Sequence, residues 1–224
     1  MLINRKVITS FRFQHIGFAN TSRSRRSFAI KSTINFQEVL NFWFKPPTDP
    51  EYGKAQRYWF MKDPAFDNEI RTKFGDLIIQ GLNGELASDW EKTDDSTLAH
   101  IIVLDQFARN VYRGNALSYA GADLAINSAL KLIDSGADKK FPMHIRSFIY
   151  LPFMHAESVE LQARSVSLYE GLVADFPDAS DNLKYAKMHE EVILKFGRFP
   201  QRNEALGRAS TPEELEYSAN GGGF

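Results

Sequence analysis

The sequence predicts an all-α fold in a single domain, and three observations carry that prediction. Apolar residues recur at helical spacing through most of residues 34–220, strand-like alternation is scarce, and helix caps and breakers punctuate the chain at short intervals. The chain has 224 residues, 43% of them apolar and 13% aromatic, enough to enclose one sizeable core. About seven or more helices joined by short turns make either a bundle or a stacked array. No self-similarity at the period of about 34 residues typical of one helical-repeat class is evident.

Asn35 followed by Glu38 reads as a capping box, and Phe36, Val39, Leu40 and Trp43 then share one stripe until Pro46-Pro47 ends the helix. Asp63-Pro64 supplies an N-cap and a first-turn proline for a second helix. Its inner face is Phe66, Ile70, Phe74, Leu77 and Ile78, it runs to Gly81, and Asn83-Gly84 then turns the chain. Residues 96–112 read as a helix that is apolar nearly all round over 98–104, as an element enclosed by others must be. Residues 117–134 follow, with Leu124, Ile126, Leu130 and Ile133 inward and Gly136 stopping the helix in the C′ role. Pro142 opens a further helix that Pro152 is expected to interrupt. Ser158 caps a helix carrying Leu161, Leu168, Tyr169 and Leu172, and residues 181–196 form another. Thr211-Pro212-Glu213-Glu214 is a capping box with proline in the first turn of a short last helix.

Composition removes several classes of function. Cysteine is absent, which excludes disulfides, thiol nucleophiles and thiolate metal sites. No apolar run approaches the roughly 20 residues that cross a bilayer, and the longest, 148–154, contains Pro152. The net charge of −1 conceals an uneven distribution. Arg5, Lys6, Arg12, Arg23, Arg25, Arg26 and Lys31 lie in the first 33 residues without a single acid, so 20 bases face 28 acids in the remainder, a net of −8. That body suits neither nucleic acid nor an anionic membrane.

The first 33 residues carry Ile3, Val7, Phe11 and Phe18 on one side of a helical wheel and Arg5 and Arg12 on the other, in a stretch rich in Ser and Thr. This is a mitochondrial presequence pattern, read here as a cleaved targeting segment 1–33 ahead of a helical domain 34–220, with the matrix as destination. Arg25-Arg26-Ser27-Phe28 resembles a matrix-peptidase site and places processing between Ser27 and Thr33. The alternative is a basic tail on a cytoplasmic protein.

Chemistry-bearing residues cluster in the middle and late segments. Asp105 and Arg109 fall in the stripe of Leu98, Ile101 and Ile102 and are predicted to point inward, where charges need partners. Either they pair to set helix register, or Arg109, with Asn110 and Arg113 at the helix end, belongs to an anion-receiving pocket. His189 is also predicted inward, among Tyr185, Ala186, Val192, Ile193 and Phe196, as either a hydrogen-bonded core residue or an acid–base group. His155 and Glu157 follow Pro152; with His189 they offer nitrogen and oxygen donors, but a His-x-Glu spacing sends two helical side chains about 160° apart, and no metal site is expected. Arg198, Arg202, Asn203 and Arg208 occupy a glycine-punctuated stretch. Three guanidinium groups there suit a carboxylate or phosphate, or clamp buried carboxylates such as Asp105 or Glu157. Gly-x-Gly-x-x-Gly, Gly-x-Ser-x-Gly, P-loop and His-Glu-x-x-His signatures are absent.

Taken in order, Leu40-Asn41-Phe42-Trp43-Phe44, Trp59-Phe60, Phe66-Asp67, Leu104-Asp105-Gln106-Phe107-Ala108-Arg109-Asn110, Tyr112-Arg113-Gly114, residues 150–157, residues 196–208 and Ser210-Thr211-Pro212-Glu213-Glu214 strongly resemble the domain of unknown function 924 family. The resemblance spans residues 36–217 and implies an all-helical, tetratricopeptide-like fold. It brings no established reaction or cofactor. The polar positions it points to are Asp105, Gln106, Arg109, Asn110, Arg113, His155, Glu157, Gln162, His189, Arg198, Arg202, Asn203 and Arg208. Where the family motif usually reads Phe-Pro-His-Arg-Asn this chain has Gln201, which removes one histidine from any acid, base or ligand role.

These readings converge on an internal pocket lined by Arg, His and carboxylate side chains that binds a small anionic molecule. His155 or His189 would move protons and Glu157 would orient them, with Asp105, Gln106, Arg109, Asn110, Arg113, Arg198, Arg202, Asn203 and Arg208 binding the ligand. The alternative is a tetratricopeptide-like module offering a groove to a peptide, or a scaffold whose polar cluster is purely structural. The N-terminal pattern is tested by fusing residues 1–33 to a fluorescent reporter: concentration in mitochondria is expected, and an even spread through the cytosol overturns the reading.

Overall fold

Helix caps written in the sequence set the element boundaries. In the computed structural model, which describes residues 34–223, the chain runs α1 (Phe36–Phe44), α2 (Pro64–Leu82), α3 (Ala87–Trp90), α4 (Asp94–Ile101), a π-helical stretch (Ile102–Phe107), α5 (Ala108–Val111), α6 (Ala122–Asp134), α7 (Met143–Met154), α8 (Val159–Asp175), α9 (Ser180–Phe196) and α10 (Pro212–Ala219). No strand occurs among the described residues. The expected targeting segment 1–33 lies outside them. Asn35 and Glu38 close the capping box of α1 with reciprocal bonds of 3.1 and 3.2 Å. Asp63 accepts from the amides of Ala65 and Phe66 at 2.9 and 3.3 Å, and Thr211 with Glu214 closes the box that starts α10.

The centre of the fold is the rod formed by α4, the π stretch and α5. Every residue from 96 to 108 is buried, as the all-round apolar reading of this segment requires. It packs against α1, α2, α6 and α7, while α8 lies on α7 and α9 on α8. The π stretch itself was not legible in the sequence: the amide of Ala108 reaches back to the carbonyl of Val103, which widens the turn by one residue and shifts the faces that follow. The rod also begins earlier than position 96, because Thr93 caps it and Ser96 returns the bond.

Three further differences from the sequence reading have physical causes. α6 begins at Ala122 rather than 117, since residues 116–118 form a separate 3₁₀ turn capped by Asn115. Its inner face is Ala125, Ile126, Ser128, Ala129 and Leu132, with Leu124, Leu130 and Ile133 only half-buried; small residues let it approach the rod closely. Pro152 does not interrupt α7, which continues to Met154; the proline stands in the last turn and forfeits a single hydrogen bond. Residues 145–154 of α7 are all buried, so α7 is a second enclosed element.

Aromatic rings fill the space between α1, α2, the rod and α7. Trp43 meets Phe107 and Phe148 edge-on at 5.6 and 5.8 Å between centroids, and Phe42 meets Phe74 at 5.1 Å. The Trp43 carbonyl, left open by the end of α1, accepts from Tyr58 Oη and Trp59 Nε1, both at 2.9 Å. Buried charge inside the core is paired: Arg146 donates to Tyr150 Oη and to Asp175, each at 2.6 Å, and Tyr150 donates to Asp138.

Gly121 marks a close approach of one backbone to another at the rod. A Cβ there would stand 2.8 Å from the Leu104 carbonyl oxygen, whereas one at Gly171 on α8 meets nothing within 4 Å. Gly121→Ala is expected to destabilise the domain by about 1–3 kcal/mol, and Gly171→Ala to stabilise it by up to about 1 kcal/mol, both read from urea midpoints.

Candidate functional site

The site is built outward from Asp105, which is 1% exposed in the π stretch. Three groups meet its carboxylate: Gln106 Nε2 at 2.5 Å, Arg109 Nε at 3.1 Å and His155 Nδ1 at 2.9 Å from both oxygens. An ionised carboxylate only accepts, so Nδ1 of His155 carries the proton and Nε2 is left as the acceptor. Nε2 has no hydrogen-bond partner among the described residues. Burial opposes ionisation of Asp105. It is outweighed by His155 and Arg109 beside it and by the hydrogen bonds from both, which hold the carboxyl well below the usual carboxylate range.

His155 caps the end of α7, and the ring of His189 from α9 lies 6.3 Å away, centroid to centroid. His189 Nδ1 is 2.8 Å from the Tyr185 carbonyl and donates to it. Burial, then the Arg109 charge, holds His155 below its ordinary value; burial, then His155, pushes His189 down to about 3. Both rings are neutral at neutral pH.

Arg202 reaches the same place from a 3₁₀ turn, Pro200–Arg202, beyond α9. It is 8% exposed, and its guanidinium carbon lies over the rings of Phe199 and Tyr119 at 4.2 and 4.8 Å. Arg109 contacts the same Tyr119 ring at 5.4 Å. No carboxylate pairs with Arg202 among the described residues. Burial first, and then the Arg109 charge, pushes its pKa down to about 9.

The structure therefore brings Asp105, Gln106, Arg109, His155, His189 and Arg202 together, and sends the other anticipated residues elsewhere. Asn110 and Arg113 close on Asp67, at 2.8 Å and at 2.6 and 3.1 Å. Glu157 does not orient either histidine: it accepts Arg208 at 2.6 and 3.0 Å and the Phe199 amide at 2.8 Å, and Asp105 holds the orienting position instead. Arg198 pairs with Glu214 at 2.6 and 2.8 Å, and Asn203 joins Glu214, Ser210 and Arg208. Those bonds, Arg198 first and the Thr211 amide next, lower Glu214 to about 2. Gln162 is buried with its Nε2 on the Met154 and Ala156 carbonyls, both at 2.7 Å, where it ties off the end of α7.

Concavities of about 350 and 330 Å³ run along α9, lined by Met188, Glu191 and, in the larger one, Phe196 and Tyr217. The cluster instead opens through the partly exposed side chains of His155 and Arg109, at 17% and 19%. Sequence reasoning did not single out Tyr119, which touches both guanidinium groups, or Asp67 as a clamp. Tyr119 sits in an irregular connection with no periodicity to mark it, whereas Asp67 could have been found by its helical spacing from Ile70 and Phe74.

Fold and site together define a class: an all-helical protein whose buried charged cluster is assembled between a central rod and a C-terminal turn. The chain belongs to the family described as bacterial protein of unknown function (DUF924), which matches residues 39–222. It is similar to the solved structure of a protein of unknown function from Agrobacterium tumefaciens, with 36% identity over 83% of this chain and 97% of that one and a TM-score of 0.70. No curated protein matches it.

The lowered histidines make stability depend on pH. The unfolded chain takes up protons below its ordinary value of 6.5 while the folded chain keeps His189 neutral to about 3, so stability present above pH 6.5 is lost as pH falls through that window. Each such histidine contributes a slope of up to about 1.4 kcal/mol per pH unit. His189→Gln is expected to flatten the fall, measured as urea midpoints between about pH 7 and 4.5.

Proposed function

We propose that this domain binds a small anionic molecule between Arg202 and Arg109, and that the His155–Asp105 pair exchanges a proton with it. The observation that carries the reading is the buried guanidinium of Arg202, which lacks a carboxylate partner among the described residues. A buried charge costs several kcal/mol unless something compensates it. Every other candidate arginine already has a carboxylate: Asp105 for Arg109, Asp67 for Arg113, Glu214 for Arg198 and Glu157 for Arg208. With two aromatic rings against it, Arg202 has its N–H edge left for a ligand, which suits the oxygens of a carboxylate or phosphate.

The neighbouring imidazole supports an enzymatic role. Asp105 sets its tautomer and orientation and leaves Nε2 as a base beside the proposed anion, an arrangement suited to general acid–base work. The presequence-like pattern of residues 1–33 supports the mitochondrial matrix as the setting.

A second reading, a tetratricopeptide-like peptide-binding module or scaffold with a purely structural polar cluster, draws support from α9. That helix exposes Tyr185 and Leu194, at 53% and 61%, and the larger concavity runs along it.

Arg202→Met separates the two. Under the anion reading the wild-type melting temperature rises with small carboxylates or phosphates, and the variant loses that response while melting at the same temperature or higher, because an uncompensated buried charge has been removed. A fall of many degrees in the variant, with no anion that stabilises the wild type, favours the scaffold.

A further inference from the structure

We infer that the ligand of this cluster is a doubly charged tetrahedral oxyanion, and that a proton enters with it onto Nε2 of His155. The inference rests on the anion-binding reading above and names both the ligand class and the pH response of that same site.

Charged and titratable groups face His155 from several elements. Asp105 reaches it from the π stretch and Arg109 from α5; His189 stands opposite on α9, Arg202 arrives from the 3₁₀ turn, and Tyr169 of α8 lies close enough to feel the Asp105 charge. Glu157, two residues along the chain, is already neutralised by Arg208. With both imidazoles neutral, the Asp105 and Arg109 charges cancel and Arg202 remains as one unbalanced positive charge. A singly charged carboxylate would cancel it and leave nothing further to answer. A doubly charged anion leaves one negative charge in surplus, in surroundings where an unbalanced charge is costly.

Geometry decides which group answers that surplus. His155 Nδ1 faces Asp105, so Nε2, across the ring, faces away from that carboxylate with its lone pair unused. A proton taken there from solvent forms an N–H directed at the ligand, while Nδ1–H stays on Asp105, and no bond in the site has to break. Arg202, Arg109 and His155 then present three donors from three elements, which a tetrahedral anion can meet with a separate oxygen for each. In the unliganded protein, burial and the Arg109 charge keep Nε2 empty; an added anion acts with the opposite sign to Arg109 and favours the imidazolium. His189, the other imidazole of the cluster, is held down to about 3, chiefly by burial.

Sulfate is the probe, because it is doubly charged and does not titrate near neutrality, so any proton consumed is taken by the protein. Titration calorimetry of the full chain in two buffers of different ionisation enthalpy is expected to show uptake approaching about one proton per sulfate, and affinity rising by up to about tenfold per pH unit as pH falls between the free and bound values of His155. Acetate should bind more weakly and take up none. His155→Gln should still bind sulfate, but without proton uptake, and His189→Gln should retain it. The two-buffer comparison on the wild type stands by itself if His155→Gln fails to fold. Sulfate bound without proton uptake, uptake surviving in His155→Gln, or acetate bound in preference to sulfate overturns the inference and leaves the anion site standing. Binding of neither anion removes both.

Discussion

An ionised carboxylate at the centre of the most enclosed element is the constraint around which this protein is arranged. Asp105 cannot be solvated, because the rod that carries it is covered by α1, α2, α6 and α7. It must be met by donors, and only two of them, Gln106 and Arg109, come from its own neighbourhood in the sequence. The third, His155, comes from the end of α7 and so ties that helix to the rod. Through His155 the cluster extends to His189 on α9 and to Arg202 beyond it.

The same rule recurs at four other places in the fold. Asp67 on α2 gathers Asn110 and Arg113 from the end of α5; Glu157 between α7 and α8 holds Arg208 and the Phe199 amide; Glu214 on α10 holds Arg198 and Asn203; Arg146 on α7 bridges to Asp175 at the end of α8. A pair of this kind adds little net stability relative to an apolar replacement, whereas loss of one partner costs about 3–5 kcal/mol when the other stays buried. These clamps therefore act chiefly on geometry, fixing which surfaces meet. Arg202 stands apart because its contacts are aromatic rings, and that difference singles it out among the arginines.

Delivery of Arg202 depends on those clamps. Glu157 grips the chain at Phe199 and again at Arg208, which brackets the turn Pro200–Arg202, while Arg198 is drawn to the capping box of α10. A residue read from the sequence as an orienter of histidine thus does its positioning one step removed, on the backbone that carries the cation. Phe199 contributes from both sides, its amide to Glu157 and its ring to Arg202 and, at 5.6 Å, to His189.

Local signals in the sequence were sufficient for the helices, their caps at Asn35, Asp63, Ser158 and Thr211, the glycine stop at Gly136, the enclosure of residues 98–104 and the inward direction of Asp105 and His189. Each depends on interactions spanning a few residues, and spacing records those directly. The π stretch, the close approach at Gly121, the partner of each arginine and the contact of Tyr119 with two guanidinium groups were decided only in three dimensions. The five candidate arginines, Arg109, Arg113, Arg198, Arg202 and Arg208, look alike in a sequence. Which of them meets a carboxylate, and which is left against aromatic rings, depends on packing between elements distant in the chain, and no local spacing encodes that choice.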